Sequence, residues 1–184
     1  LRMGNPFLKP EFVNSYEIGY QKFKRGSTFT TSIYVKDIKD VQQRFVSVDS
    51  NNVTTISWQN LNDKIDIGFE IMVSKKFFNS INFMISSNIY YSKIDASNLT
   101  SEFNNSFFGM RSNYNLSWKK KNHKIQLSGF VSPAANTTQG RLMTMYSSDL
   151  AYSKSILNDK GKFIFRVSDI FNTRFFGYRG IASN

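Results

Sequence analysis

The stretch "KIDIGFEIMVSKKFFNSINFMISSNIYYS", residues 64–92, decides how this chain folds. In its first part Ile65, Ile67, Phe69, Ile71 and Val73 alternate with Asp66, Gly68, Glu70 and Met72. After the turn "KKFFNS", Ile81, Phe83, Ile85, Ile89 and Tyr91 alternate with Asn82, Ser86 and Asn88. A period of two sends successive side chains to opposite faces of an extended chain. Each segment is therefore a strand with an apolar environment on one side and a polar one on the other.

The same pattern recurs on both sides. Upstream, a strand over about 11–23 carries Phe12, Tyr16, Ile18 and Tyr20 against Glu17, Gly19 and Gln21. The turn Lys24-Arg25-Gly26 leads to a second over about 27–38, with Phe29, Thr31, Ile33 and Val35 on its apolar face. Downstream, Phe108, Met110, Tyr114, Leu116 and Trp118 oppose Gly109, Arg111, Asn113, Asn115 and Ser117. Three more strands fall at about 124–132, 141–155 and 162–171. The polar stretches 39–62 and 93–104 and the segment "SPAANTTQG" read as long loops, and the last dozen residues read as irregular.

The strands run to about ten residues or more, against a mode of about five or six in soluble domains. Short and long connections alternate along the chain. Both habits belong to an all-β, antiparallel up-and-down transmembrane β-barrel, with strands of about 9–11 residues, brief turns at one rim and longer loops at the other. Tyr20, Trp118 and Tyr152 lie near strand ends on the apolar face, where an aromatic girdle belongs. The two environments are then lipid outside and a wet lumen inside.

Composition agrees. Aromatics make up 16% of the 184 residues, which favours strands. With no cysteine, disulfides and thiolate metal sites are excluded. The net charge of +11 raises the possibility of nucleic acid, but the aromatics share their face with Ile, Leu and Val rather than with the basic residues. Lys24, Arg25, Lys75, Lys76, Lys119, Lys120, Lys121, Lys160 and Lys162 instead cluster in the short turns. No nucleic-acid partner is expected, and the turn charges read as solubilising groups that mark strand ends.

Catalysis finds little support. The lone His123 sits in a turn between lysines and reads as solvated. Asp66 and Glu70 share a face but stand about 13 Å apart along the strand, too far for a glycosidase pair. "DSNN" lacks the terminal Glu of a calcium loop. We expect no enzyme activity, no catalytic residue, no metal and no cofactor.

The opening "GNPFLKPEFVNSYEIGY", residues 4–20, resembles a recurring segment of TonB-dependent outer-membrane receptors. In that family an N-P-x-L-K-P-E stretch precedes a strand bearing Y-E-x-G-Y. Here these are Asn5, Pro6, Leu8, Lys9, Pro10 and Glu11, then Tyr16, Glu17, Gly19 and Tyr20. "FIFRVSDIFNTRFFGY", residues 163–178, looks like the family's penultimate strand. The variant resembled is the outer-membrane β-barrel family. The resemblance implies that residues 1–184 form a partial C-terminal segment, about eight strands of a 22-stranded barrel. The plug domain and final strand are not among them. Short turns would then face the periplasm and long loops the cell exterior.

The implied function is ligand import across the outer membrane, for a siderophore, glycan, peptide or vitamin. An alternative is a scaffold or adhesin barrel without active transport. Implied partners are outer-membrane lipid and lipopolysaccharide, the rest of the barrel and its plug, the TonB-ExbB-ExbD complex and a surface lipoprotein. On the outer loops Arg44, Phe45, Trp58 and Phe103 are candidates either to grip a ligand or to pack the loops on one another. Glu70, Arg111, Asp149 and Arg166 are expected to face the lumen. Counting back from the turns sets Asp149 nearly opposite Arg166, and leaves Glu70, beside Met84, about 10 Å from Arg111, beside Ser86. Paired charges are the expected outcome there, because an unpaired charge in the wall is costly.

Overall fold

The computed structural model describes residues 1–99 and 103–180. Its strands are β1 (Phe12–Lys24), β2 (Ser27–Val48), β3 (Thr54–Phe77), β4 (Ile81–Asp95), β5 (Asn105–Lys120), β6 (His123–Ser132), β7 (Ala135–Thr137), β8 (Gly140–Leu142), β9 (Met145–Ile156), β10 (Gly161–Val167) and β11 (Tyr178–Gly180). Eight of them form one sheet in the order β1-β2-β3-β4-β5-β6-β9-β10. Every pairing in it is antiparallel. A small sheet, β11-β8-β7, interrupts the otherwise neighbour-to-neighbour winding. The described sheet is open: β1 pairs only with β2, and β10 only with β9.

The eight expected strands are all present. Three expectations are corrected. "SPAANTTQG" is not all loop and the strand expected over 141–155 is split: Ala135–Thr137 pairs with Gly140–Leu142 in the small sheet, and only Met145–Ile156 joins the large one. The stretch 39–62 is mostly strand: β2 and β3 stay in one register from Ser27↔Lys75 to Val48↔Thr54, leaving a turn of five residues. This outer half of the hairpin rises past β4, whose pairing with β3 ends at Asp63↔Asp95. Beyond that level neither face meets lipid, so the apolar alternation that reveals a membrane strand is missing. The tail is not wholly irregular either, since Tyr178–Gly180 pairs with β8.

The apolar face remains exposed. Ile33 is 60% accessible, Phe165 58% and Ile67 47%, values incompatible with a dry core. A solvent other than water must cover this face. Tyr91 and Phe108 pack at 5.1 Å near the long-loop rim, and Trp118 lies on the same face of β5 near the short-turn rim. The ten steps from Phe108 to Trp118 span about 33 Å of strand. At a tilt of about 40° this gives a belt roughly 25 Å tall, the height of a membrane barrel's apolar band. The only buried apolar cluster, among the described residues, is small and lies at the long-loop end: Ile38, Val41, Leu61, Ile94, Ala96 and Phe103.

Three cross-strand tyrosine–glycine pairs hold neighbouring strands close. Tyr34 faces Gly68, Tyr90 faces Gly109, and Tyr114 faces Gly129. In each pair a Cβ on the glycine would overlap the tyrosine ring. The ring lies flat across the neighbouring strand because no side chain stands there. The first two pairs occupy the polar face, the third the apolar face, where the Tyr114 hydroxyl meets Ser148. Asp40, at φ 52, bends the hairpin, and Ile38 and Val41 consequently reach the same buried cluster although three residues apart.

Two outcomes follow for the assembled membrane protein. Phe69→Arg should cost ~2–4 kcal/mol in unfolding from lipid vesicles, while Ser86→Arg on the polar face should be mild. Gly68→Ala should destabilise by ~1–3 kcal/mol because the Tyr34 ring must leave its seat. Restoring stability to Gly68→Ala with Tyr34→Ser would identify ring displacement as the cause.

Candidate functional site

The polar face is concave. Side chains from β1 to β5, among them Glu17, Gln21, Thr30, Glu70, Asn88, Arg111 and Asn113, line a trough of about 650 Å³. Its centre is Asn88, which lies opposite Glu70 on one side and opposite Arg111 on the other. Asn88 Nδ2 donates to Glu70 Oε1 at 2.8 Å, and the Tyr34 hydroxyl donates to Asn88 Oδ1 at 3.2 Å. The Arg111 guanidinium stacks over the Phe130 ring at 5.6 Å. Farther up the same wall Lys64 pairs with Asp66 at 2.8 Å, and the Lys36 ammonium sits 5.0 Å from the Tyr34 ring centre.

This geometry corrects the expected charge network. Glu70 stands beside Asn88, not Met84, and Arg111 also stands beside Asn88, not Ser86. No ion pair joins them among the described residues: an amide and an aromatic ring take the two charges instead. Asp149 faces Ser128, and Arg166 faces Ala151 rather than Asp149. The guanidinium on Asp149 belongs to Arg174, at 3.0 Å, from the stretch expected to be irregular. A turn count misplaced these partners because it assumed symmetrical turns and a straight final strand.

The long-loop rim is tied together across the sheet. The Val46 N–H donates to Gln139 Oε1 at 2.9 Å, and Gln139 Nε2 donates to the Val46 carbonyl at 2.8 Å. The buried Gln139 amide thus acts as one more peptide group, joining the β2–β3 hairpin to the β7–β8 hairpin. Asn105 Nδ2 adds a bond to the Thr137 carbonyl at 2.7 Å. Of the four outer candidates, Phe45 and Phe103 meet edge to face at 5.3 Å and pack the loops together. Arg44 and Trp58, paired across β2 and β3, remain at the surface.

Both terminal motifs build this rim. Asn5 Nδ2 donates to the Trp58 carbonyl at 2.9 Å, and the Lys9 N–H donates to Asn60 Oδ1 at 2.8 Å. The Lys9 carbonyl accepts from Gln42 and Asn60, and Glu11 Oε2 accepts from the Gln42 N–H at 2.9 Å. Prolines at 6 and 10 keep the segment extended while these contacts strap it to the outer hairpin. At the other end Asp169, at φ 52, accepts from the Arg174 N–H at 2.9 Å and the Thr173 N–H at 3.0 Å. Its own N–H donates to Asp149 Oδ1. His123, read as solvated, is half-buried and its Nδ1 lies 2.8 Å from the Tyr152 hydroxyl.

An exposed apolar belt outside and a polar trough inside leave few kinds of protein to consider. The family model of outer membrane β-barrel proteins matches residues 1–184. The chain belongs to the outer membrane protein β-barrel family. Its location is the outer membrane. No curated protein and no solved structure matches it.

In this outer-membrane β-barrel protein, sequence reasoning put Asn88 and Tyr34 on the polar face without their roles there, and missed Gln139 and Arg174. The signal for Tyr34 lay in its distance from Gly68, which a hairpin centred on residue 51 makes opposite one another. Ending the second strand at 38 hid that symmetry.

The Arg174 and Thr173 N–H groups hold the Asp169 carboxyl below its ordinary range. A depressed folded-state value adds stability that is complete above the unfolded pKa of ~3.9 and is lost as pH falls through the folded value. Exchange protection of the Thr173 and Arg174 amides, corrected for intrinsic rate, should therefore hold from neutral pH to ~4 and fall away below it. Asp169→Asn should remove that acid step.

Proposed function

We propose that this outer-membrane β-barrel protein is part of a TonB-dependent receptor that imports a ligand of the siderophore, glycan, peptide or vitamin class. The observation that carries the reading is the polar trough of about 650 Å³ on a strapped, cross-tied sheet. Neutral amides and hydroxyls dominate its lining, and its two central charges are engaged by Asn88 and Phe130. Such a wall can pass a polar solute without trapping it. The resemblance of residues 4–20 and 163–178 to receptor segments adds the energy source, the TonB-ExbB-ExbD complex.

In this reading the open edges of β1 and β10 continue into further strands of a barrel of about 22, since unpaired backbone groups are not tolerated in lipid. A plug fills the lumen, the long loops face the cell exterior, and a surface lipoprotein can sit over them. The protein is a transporter and not an enzyme. His123, the one histidine, is engaged by Tyr152 on the apolar face.

The test is growth of a deletion strain on each ligand class as limiting nutrient. A defect on one class, reproduced by removing the TonB complex and relieved by the intact gene, is expected. A defect indifferent to the TonB complex, or a loss of surface adhesion alone, would overturn import in favour of the scaffold reading.

A further inference from the structure

The four outer-loop candidates separate into two faces. Phe45 and Phe103 turn to each other, whereas Arg44 and Trp58 stand directly opposite on neighbouring strands. Residue 2 joins them: Arg2 forms a parallel bridge with Ile56, two positions before Trp58 and so on the same face. The Met3 N–H donates to the Ile56 carbonyl, and the Ile56 N–H donates to the Leu1 carbonyl, which fixes this short segment on β3. Arg2, Met3, Arg44, Ile56 and Trp58 together line a pocket of about 240 Å³.

Its chemistry is specific. Neither guanidinium has a carboxylate within 4.0 Å among the described residues, although other charges at this rim do, as in Lys39–Asp63 at 3.1 Å and Lys9–Asp40 at 3.6 Å. Two guanidinium forks on one wall suit the oxygens of a phosphate. The indole of Trp58, 50% exposed beside them, offers a flat apolar face to the C–H side of a sugar ring. The volume lies below the ~300–1,000 Å³ of a drug-sized site and suits one ring with its substituent. All three groups stand on hydrogen-bonded backbone, which fixes where their side chains start.

We propose that Arg2, Arg44 and Trp58 form a binding site for a phosphorylated sugar. The site goes beyond the importer reading and does not rest on it. A phosphorylated sugar reaches the outer surface from two sources, the saccharide of lipopolysaccharide in the surrounding leaflet or a soluble sugar phosphate.

The experiment uses the full-length protein purified from outer membranes, with heat-modifiable migration as the check that each variant is folded. Calorimetric titration with glucose 1-phosphate, glucose and inorganic phosphate should give tightest binding to the sugar phosphate. Arg44→Ala should weaken it about tenfold or more, and Arg44→Lys by less because the charge remains without the fork. Trp58→Ala should weaken the sugar phosphate and leave inorganic phosphate unchanged. Lipopolysaccharide that co-purifies with the wild type, is displaced by glucose 1-phosphate and is lost in Arg44→Ala identifies the membrane as source. Sugar-phosphate binding with no such retained lipid identifies the soluble source. Equal binding by wild type, Arg44→Ala and Trp58→Ala overturns the site. A wild type that holds inorganic phosphate as tightly as the sugar phosphate overturns the role given to Trp58.

Discussion

Every backbone N–H and C=O at the level of the apolar belt must find its partner on a neighbouring strand, because lipid offers none. The rest of the structure follows from that constraint. It forces antiparallel neighbours in chain order, since a short turn brings the next strand back at once. It also forces length, because each strand must carry paired groups across the whole belt from the level of Phe108 to that of Trp118. Once neighbouring strands are paired, the side chains divide by parity. Ile67, Phe69 and Ile85 go to lipid, and Glu70, Asn88 and Arg111 go to the trough.

Curvature is a second-level consequence. A sheet that turns its polar face inward crowds the side chains there, and glycine relieves the crowding. Gly68 and Gly109 leave room for Tyr34 and Tyr90 to lie across the neighbouring strand, covering backbone that would otherwise face the lumen. The Tyr34 hydroxyl then reaches Asn88, which is itself turned by Glu70. A packing device thus orients the amide at the centre of the trough. Polar chemistry and strand geometry are coupled here through one tyrosine.

The rim obeys different physics. Past the Asp63↔Asp95 level water is available, and side chains replace the ladder where strands end. Gln139 substitutes for a peptide group at Val46, Asn5 and Asn60 hold the strap, and Asp169 gathers the N–H groups of the last turn. The motifs that resemble receptor segments are spent on these anchors. That leaves Arg44 and Trp58, whose side chains make no hydrogen bond or ion pair among the described residues, as rim groups open to chemistry.

The sequence alone determined the eight membrane strands and their facing, because a two-residue period is imposed on each strand separately by lipid on one side and water on the other. Ile65 to Val73 need no partner to be read. It also marked the terminal motifs as recurring segments, without saying what they contact. Tertiary structure alone decided what depends on register between distant residues. Glu70 meets Asn88 rather than a guanidinium, Asp149 takes Arg174, and Val46 meets Gln139 across the mouth. The hairpin over 39–62 was illegible for the complementary reason: no lipid imposes a face on it, its buried residues such as Val41 and Leu61 are few, and Asp40 breaks the two-residue period between them and the membrane strand. Arg2, Arg44 and Trp58 share a face only because a parallel bridge and a cross-strand pair bring three separate stretches of chain together. Periodicity is a local property of one strand, whereas a site is a property of several.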